Sequence, residues 1–461
     1  MRALFRVAAV AVAGATLYYA GLLNSIVQQR PERPGAAAVV IAIGAALVVI
    51  AAALRGTGRD DALAAPAHVR LHRALWLFVC VMATVSIAWL FTVPHKHSDD
   101  WTPYHNDAIA LNECAARMLL QGRDPYSDLD IFSCYAQMQI GADRTTPLQR
   151  GEFANVPVYP TDQQLDATWA LRQADGGNVE FVTRPSYPAL SFVALVPFVA
   201  LGIDTNYVYL GCLLAAMAVI VWRSSRGMRP FVVTGLLGAS CLVAFTIGGS
   251  ADLLYALPLV IAWLWRERVA GGVALGAAVA VKQIAWFVAP FYLIAVIATH
   301  GWRAGVKHAS IAAAVFVATN GPFILWHPGD WLAGVLTPVV EPMFPRGAGL
   351  IFLSTNGELP LLPATVYLAM EGIAMLICLW IAWRARRTSP EMGIALALIP
   401  LFFAWRSLFS YFFLVPLFAF SGLVRMPVGE LTIQRARESG ALTLFALPAK
   451  LRAVSRDERA A

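Results

Sequence analysis

Residues 35–54 read GAAAVVIAIGAALVVIAAAL, and residues 74–94 read ALWLFVCVMATVSIAWLFTVP. Both runs are uncharged, and each has about the 20 residues that an α-helix needs to cross hydrocarbon. Runs of this kind recur along a chain in which 59% of 461 residues are hydrophobic and 14% are charged. That is more apolar surface than one water-soluble core hides. The fold class expected is all-α and polytopic, a protein of the cell membrane with about twelve crossings.

Working outward from these runs, helices are expected near 3–27, 35–54, 74–94, 205–222, 231–247, 252–266, 270–281, 284–299, 309–326, 361–382, 391–405 and 408–424. The first holds Arg6 and shows no small-residue cleavage site, so it reads as a retained helix and not a signal peptide. The stretch PSYPALSFVALVPFVALG, 185–202, is apolar but short and interrupted by Pro197. It is expected to lie in the interface or re-enter it. The net charge of +7 comes from short basic clusters between runs, such as Arg55, Arg59, Arg70 and Arg73, or Arg223, Arg226 and Arg229. This is the positive-inside pattern, with both termini cytoplasmic, and not a nucleic-acid patch.

The organisation that follows is an N-terminal helical block (1–94), an extracytoplasmic loop with interfacial helices (95–204), a central block (205–326), a second outer loop (327–360), a C-terminal block (361–424) and a basic cytoplasmic tail (425–461). The stretch 95–184 carries 13 of the chain's 28 acids against seven bases. It is therefore the natural place for chemistry in contact with water. Cys114 and Cys134 are the only cysteines sharing a polar, oxidising segment, so a disulfide between them is expected, against the alternative of a buried Cys114 and a free Cys134. The other four sit in apolar runs as small buried hydrophobes.

Within that loop, YHNDAIALNECAARMLLQGRDPY (104–126) is the best-punctuated piece. After Asp107, residues Ala108, Leu111, Ala115, Met118 and Leu119 share one face, and Glu113, Arg117 and Gln121 form a polar stripe. The helix is expected on the membrane surface, stopped by Gly122 and turned by Asp124-Pro125. Asp107 reads either as a carboxylate at the start of a helix capped by Asn106 or as a general base. Lys282 and Arg406 lie at the outer ends of apolar runs, as snorkelling cations or as ligands of an anion. Trp405 and Tyr411 flank Arg406, as an aromatic belt or a headgroup site. HKHSDD, 95–100, combines metal-ligand residue types but reads better as a solvated loop, so no metal is expected. Its Asp99 and Asp100 are the alternative base. Tyr104, His105, Tyr126 and Tyr187 are candidates for a substrate pocket.

Four stretches in order resemble glycosyltransferase family 87, membrane mannosyltransferases of the GT-C type. They are the Asp107 helix with its LLQG and DPY; RPSYPALSFVALVPFVALG; GGSADLLYALPLVIAWLW; and AGGVALGAAVAVKQIAWFVAPFYLIA, which together cover roughly residues 95–300. The chain departs from the pattern at Ser250-Ala251-Asp252, where asparagine is usual, and at Ala285, where proline is usual. The resemblance implies inverting transfer of a sugar, mannose in the family, from a polyprenyl-phosphate donor to a lipid-linked or cell-envelope acceptor. Asp107 would be the base, Lys282 and Arg406 would bind the donor phosphate, and no cofactor is implied. The partners would be the lipid-borne donor, the glycan acceptor and membrane lipid. The rival class is a transporter or lipid flippase, with Lys282, Asp252 and Arg406 binding its cargo and the long loop as a lid. No internal repeat, ATP loop, dinucleotide fingerprint or serine elbow is visible.

Overall fold

The computed structural model describes residues 2–29, 35–55, 66–92, 107–245 and 250–426. Three long apolar helices come first, α1 (Arg2–Gln29), α2 (Ala36–Ala53) and α3 (Pro66–Thr92). A polar stretch then holds α4 (Asp107–Leu120), α5 (Pro125–Asp128), α6 (Ile131–Met138) and α7 (Asp162–Asp175), followed by two short apolar helices, α8 (Leu190–Val193) and α9 (Val196–Ala200). The central block consists of α10 (Thr205–Arg223), α11 (Arg229–Gly238), α12 (Cys241–Ala244), α13 (Leu253–Leu264), α14 (Val269–Val281), α15 (Ile284–His300), α16 (Trp302–Trp326) and α17 (Pro328–Val340). Strand β1 (Arg346–Gly347), helices α18 (Ile351–Thr355), α19 (Ala364–Ala385) and α20 (Gly393–Leu396), strand β2 (Arg406–Ser407) and α21 (Val415–Leu423) complete the order.

Six helices among the described residues, α1, α2, α3, α10, α16 and α19, are long and apolar enough to cross a membrane. They match six of the twelve expected runs. Three more, α13, α14 and α15, stand within two residues of the 252–266, 270–281 and 284–299 runs but are too short to count as full spans, α13 and α15 running on through Pro258 and Pro290. The 231–247 run divides into α11 and α12. The 391–405 and 408–424 runs are interrupted by 3-10 turns at Pro400 and Phe409. A proline within a helix removes one donor and crowds the preceding turn, so apolar composition alone does not give a continuous rod. Stretch 185–202 forms only α8 and α9, which together with the turn between them span Leu190–Ala200. At 1.5 Å per residue that is about 16 Å, half of the roughly 30 Å of hydrocarbon.

The long helices enclose α13, α15 and α21, which are apolar on all sides and bury Trp263, Phe291, Tyr292 and Phe418 completely. This is the pattern of a helix surrounded by other helices. Outward faces of α16 and α19 expose Leu325, Val317, Leu368, Leu376 and Trp380, an apolar belt that suits lipid.

Contacts sort the helix ends into two groups. At one end Arg6 donates to the Arg55 carbonyl, Arg266 makes a buried two-pronged pair with Glu391, and Arg425 and Arg223 both meet Glu267. At the other end the start of α10 meets α4, while the junction of α14 and α15 and the end of α16 meet the segment that leads into α8. There Glu113 accepts from Thr205 at 2.9 Å, Gln283 donates to the Ser186 and Val335 carbonyls, and Asn320 accepts from the Ala189 backbone N–H.

Helix α4 corrects the surface-helix expectation. Its apolar face is buried or half-buried as expected, but Glu113 is buried too, because α4 is packed between the bundle and a polar cap. Gly122 ends it with φ +72°, and the Arg123 N–H reaches back to the Met118 carbonyl. The cap has its own small core of Ala142, Phe153, Leu165, Phe181 and Phe344. Cys114 and Cys134 are paired across α4 and α6, with Cα atoms 6.1 Å apart. Arg172 grips the fully buried Glu180 through two hydrogen bonds of 2.8 Å, which hold its carboxyl below the usual glutamate range.

Candidate active site

Asp107 opens α4, half-buried, and its Oδ2 accepts a hydrogen bond from the Thr146 hydroxyl across the cap. Among the described residues its Oδ1 has no hydrogen-bond partner, so one carboxylate oxygen is held in place and the other is free to accept. Asn106, the expected cap, lies outside the described residues, as do Asp99, Asp100, Tyr104, His105 and the whole 95–100 stretch.

Two tyrosines lead from Asp107 to the cations. Tyr159 lies within electrostatic range of Asp107 on one side and of Arg346 and Arg406 on the other. The Arg346 guanidinium sits 3.9 Å from the centre of the Tyr159 ring. Burial raises the Tyr159 phenol above its ordinary value, and the two arginines oppose that rise. Tyr187, half-buried, lies within range of Asp107, Lys282, Asp252 and Tyr411. Tyr411 in turn is in range of both Lys282 and Arg406, which links the two cationic positions.

Arg346 and Arg406 are in-register partners of the parallel β1–β2 pairing. Paired residues on neighbouring strands send their side chains to the same face, so both arginine side chains leave the pairing on one side. Both are half-buried, and among the described residues neither has a carboxylate partner; Arg406 reaches only the Phe344 carbonyl, at 3.5 Å. Three segments clamp this pairing. The Ala348 N–H donates to the Ser407 carbonyl, Trp405 donates to the Met343 carbonyl, and the Gln149 N–H donates to the Pro342 carbonyl. Gly347, at φ +154°, lies against the Ser407 backbone so closely that a Cβ would collide with it.

Lys282 is different. It stands in the extended break between α14 and α15, buried, in an ion pair with Asp252, and 4.7 Å from the centre of the Tyr187 ring. It therefore does not snorkel, and its charge is balanced by a neighbour. Tyr126 is corrected from a pocket residue to a core brace. It is fully buried against Phe192 and Phe323, and its hydroxyl donates to the Tyr187 carbonyl at 2.7 Å.

Arg346, Tyr159 and Thr146 were absent from the sequence-based set. The one legible signal was a lone arginine between Pro345 and Gly347 in an otherwise apolar stretch. Among the described residues no three His, Cys, Asp or Glu side chains converge. The arrangement as a whole offers a carboxylate held by Thr146, two arginines without a carboxylate partner among the described residues and a charge-balanced Lys282–Asp252 pair. No family model, curated protein or solved structure matches the chain.

Proposed function

We propose that this protein is an inverting GT-C type glycosyltransferase that moves a hexose from a polyprenyl monophosphate to a lipid-linked or envelope glycan, mannose being the sugar that the family resemblance implies. What supports the reading most is the Arg346–Arg406 pair, which has no carboxylate partner among the described residues and shares with Asp107 the neighbouring Tyr159. Two uncompensated cations suit a phosphate that gains charge as it departs. The acceptor hydroxyl oxygen attacks C1 of the sugar on the face opposite the phosphate, and its proton passes to Asp107 Oδ1. The bond from C1 to the phosphate oxygen breaks with its electron pair on that oxygen, and polyprenyl phosphate leaves between the arginines.

In this reading the Asp107 end faces outward and the basic end, with both termini, faces the cytoplasm, following the preference of Lys and Arg for the inner side. The bundle makes twelve crossings, half of them by short or broken helices. The buried Lys282–Asp252 pair is the observation that favours a transporter or flippase instead. Transfer from a hexosyl polyprenyl phosphate, measured in Asp107→Asn, Asp99→Asn and Asp100→Asn, separates the readings. Turnover about 100-fold lower in Asp107→Asn alone is expected. Normal turnover there, with loss in either control, moves the base to the 95–100 stretch, and no transfer by the unmodified protein with any hexosyl donor leaves the transporter.

A further inference from the structure

The site holds two cationic features of opposite character. Arg346 and Arg406 carry two charges that no carboxylate among the described residues balances, whereas Lys282 and Asp252 form a pair with no net charge. A phosphate is drawn to the first and gains little from the second. A neutral polyol has the reverse requirement: its hydroxyls donate to a carboxylate and accept from an ammonium or phenol, and its carbon face lies on an aromatic ring.

The surroundings of the neutral pair meet that requirement. Tyr187 and Tyr411, both half-buried, flank Lys282. Tyr255, one turn along from Asp252 on α13, is fully buried and lies within electrostatic range of Asp252, Lys282 and Tyr411. Its hydroxyl has no hydrogen-bond partner among the described residues. A buried hydroxyl without a partner costs about 1–3 kcal/mol, and a buried ion pair is often no more stabilising than well-packed apolar side chains. Neither feature is explained by holding the bundle together. Both are explained by a ligand that completes them.

We propose that Asp252, Lys282 and the Tyr255 hydroxyl form a subsite that reads the ring hydroxyls of the donor's hexose, separate from the Arg346–Arg406 pair that holds its phosphate. The inference rests on the glycosyl-transfer reading. Asp252 accepts from sugar hydroxyls, Lys282 and Tyr255 donate to sugar oxygens, and Tyr187 or Tyr411 covers the ring. Asp252 then becomes a determinant of which sugar is taken, because a hexose with one hydroxyl inverted leaves a buried acceptor unpaired.

The test uses the full chain in nanodiscs and two probes, a short-chain polyprenyl monophosphate with and without a hexose, plus donors whose hexose is inverted at C2 or C4. The unmodified protein is expected to bind the hexosyl form more tightly than the sugar-free form. Tyr255→Phe removes only the partnerless hydroxyl, so in the absence of ligand it melts at the same temperature or higher. It is expected to shrink the sugar-dependent gain in affinity about 3–10-fold and leave sugar-free binding unchanged. Asp252→Asn is expected to erase the gain and flatten the preference among epimers. If Asp252→Asn does not fold, Tyr255→Phe decides alone. An unchanged gain in Tyr255→Phe, or equal binding of both probes by the unmodified protein, overturns the subsite while the glycosyl-transfer reading stands. Binding of neither probe overturns both.

Discussion

Replacing Arg346 by Gln separates a residue that serves the ligand from one that serves the fold, because the two roles move stability in opposite directions. Neighbouring strands lie about 4.8 Å apart, and two long side chains leaving one face carry their charges on the order of 5–10 Å apart, where an effective dielectric of about 20 gives a repulsion of roughly 2–3 kcal/mol. Screening at half-buried positions brings this to about 1 kcal/mol. Without ligand, Arg346→Gln is therefore expected to melt at the same temperature or a few degrees higher. With ligand the sign reverses. One charge-assisted hydrogen bond to phosphate contributes about 2 kcal/mol, so its loss weakens binding about 30-fold. At a polyprenyl monophosphate concentration about 100 times the original dissociation constant, ligand stabilisation falls from about 2.7 to about 0.9 kcal/mol. Differential scanning fluorimetry in nanodiscs with and without the lipid phosphate reads both numbers. A variant that is destabilised without ligand yet keeps the full ligand shift refutes the anion site and makes Arg346 a structural brace for Tyr159.

Gly347→Ala is expected to abolish the same ligand shift without touching a charged group, because a Cβ there collides with the Ser407 backbone and separates the two arginines; a retained shift means that the strands do not set their spacing. The Cys114–Cys134 bond, closing 20 residues, is expected to contribute about 3 kcal/mol, so reductant should add two thiols by intact mass and lower the melting temperature. An unchanged thiol count refutes the pairing. Glu180 has a folded pKa lowered by Arg172, so its contribution is fully present above the unfolded value near pH 4.3 and is lost as pH falls through the folded value. Glu180→Gln is expected to lower stability at pH 7 and to flatten the melting profile between about pH 5 and 3; a profile that keeps its slope assigns the acid sensitivity elsewhere.

The long spans and the punctuation of α4 were legible because their signals are local. A run of about 20 apolar residues, a carboxylate at a helix start, and a glycine with positive φ are each read within one window. The paired cysteines were legible because only one polar segment held two. The divided runs were not, since the breaks within 231–247, 391–405 and 408–424 fall in windows whose apolar composition does not change, whereas α13 and α15 stand within two residues of their expected runs although each carries an internal proline. Arg346 escaped because its partner Arg406 lies far along the chain, and a two-residue strand leaves no alternating pattern. Tyr126 misled in the other direction. A tyrosine beside an aspartate and a proline resembles a pocket residue, but its hydroxyl is occupied by the Tyr187 carbonyl. Lys282 was placed correctly at the end of an apolar run, yet its balance with Asp252 depends on two helices meeting.

The pairing of β1 with β2 also sets when the site comes into being. Asp107 and Tyr159 leave the ribosome early, Asp252 and Lys282 in the middle, and Arg406 only when most of the described chain has been made. Until β2 lies beside β1 the anion site holds one guanidinium instead of two, and the strand carrying Arg346 has no partner. A nascent chain that has passed β1 but not reached β2 holds every residue of the cap core, Phe344 included, while still lacking the second guanidinium. In the glycosyl-transfer reading proposed above, such a half-made protein does not draw on the lipid-borne sugar around it.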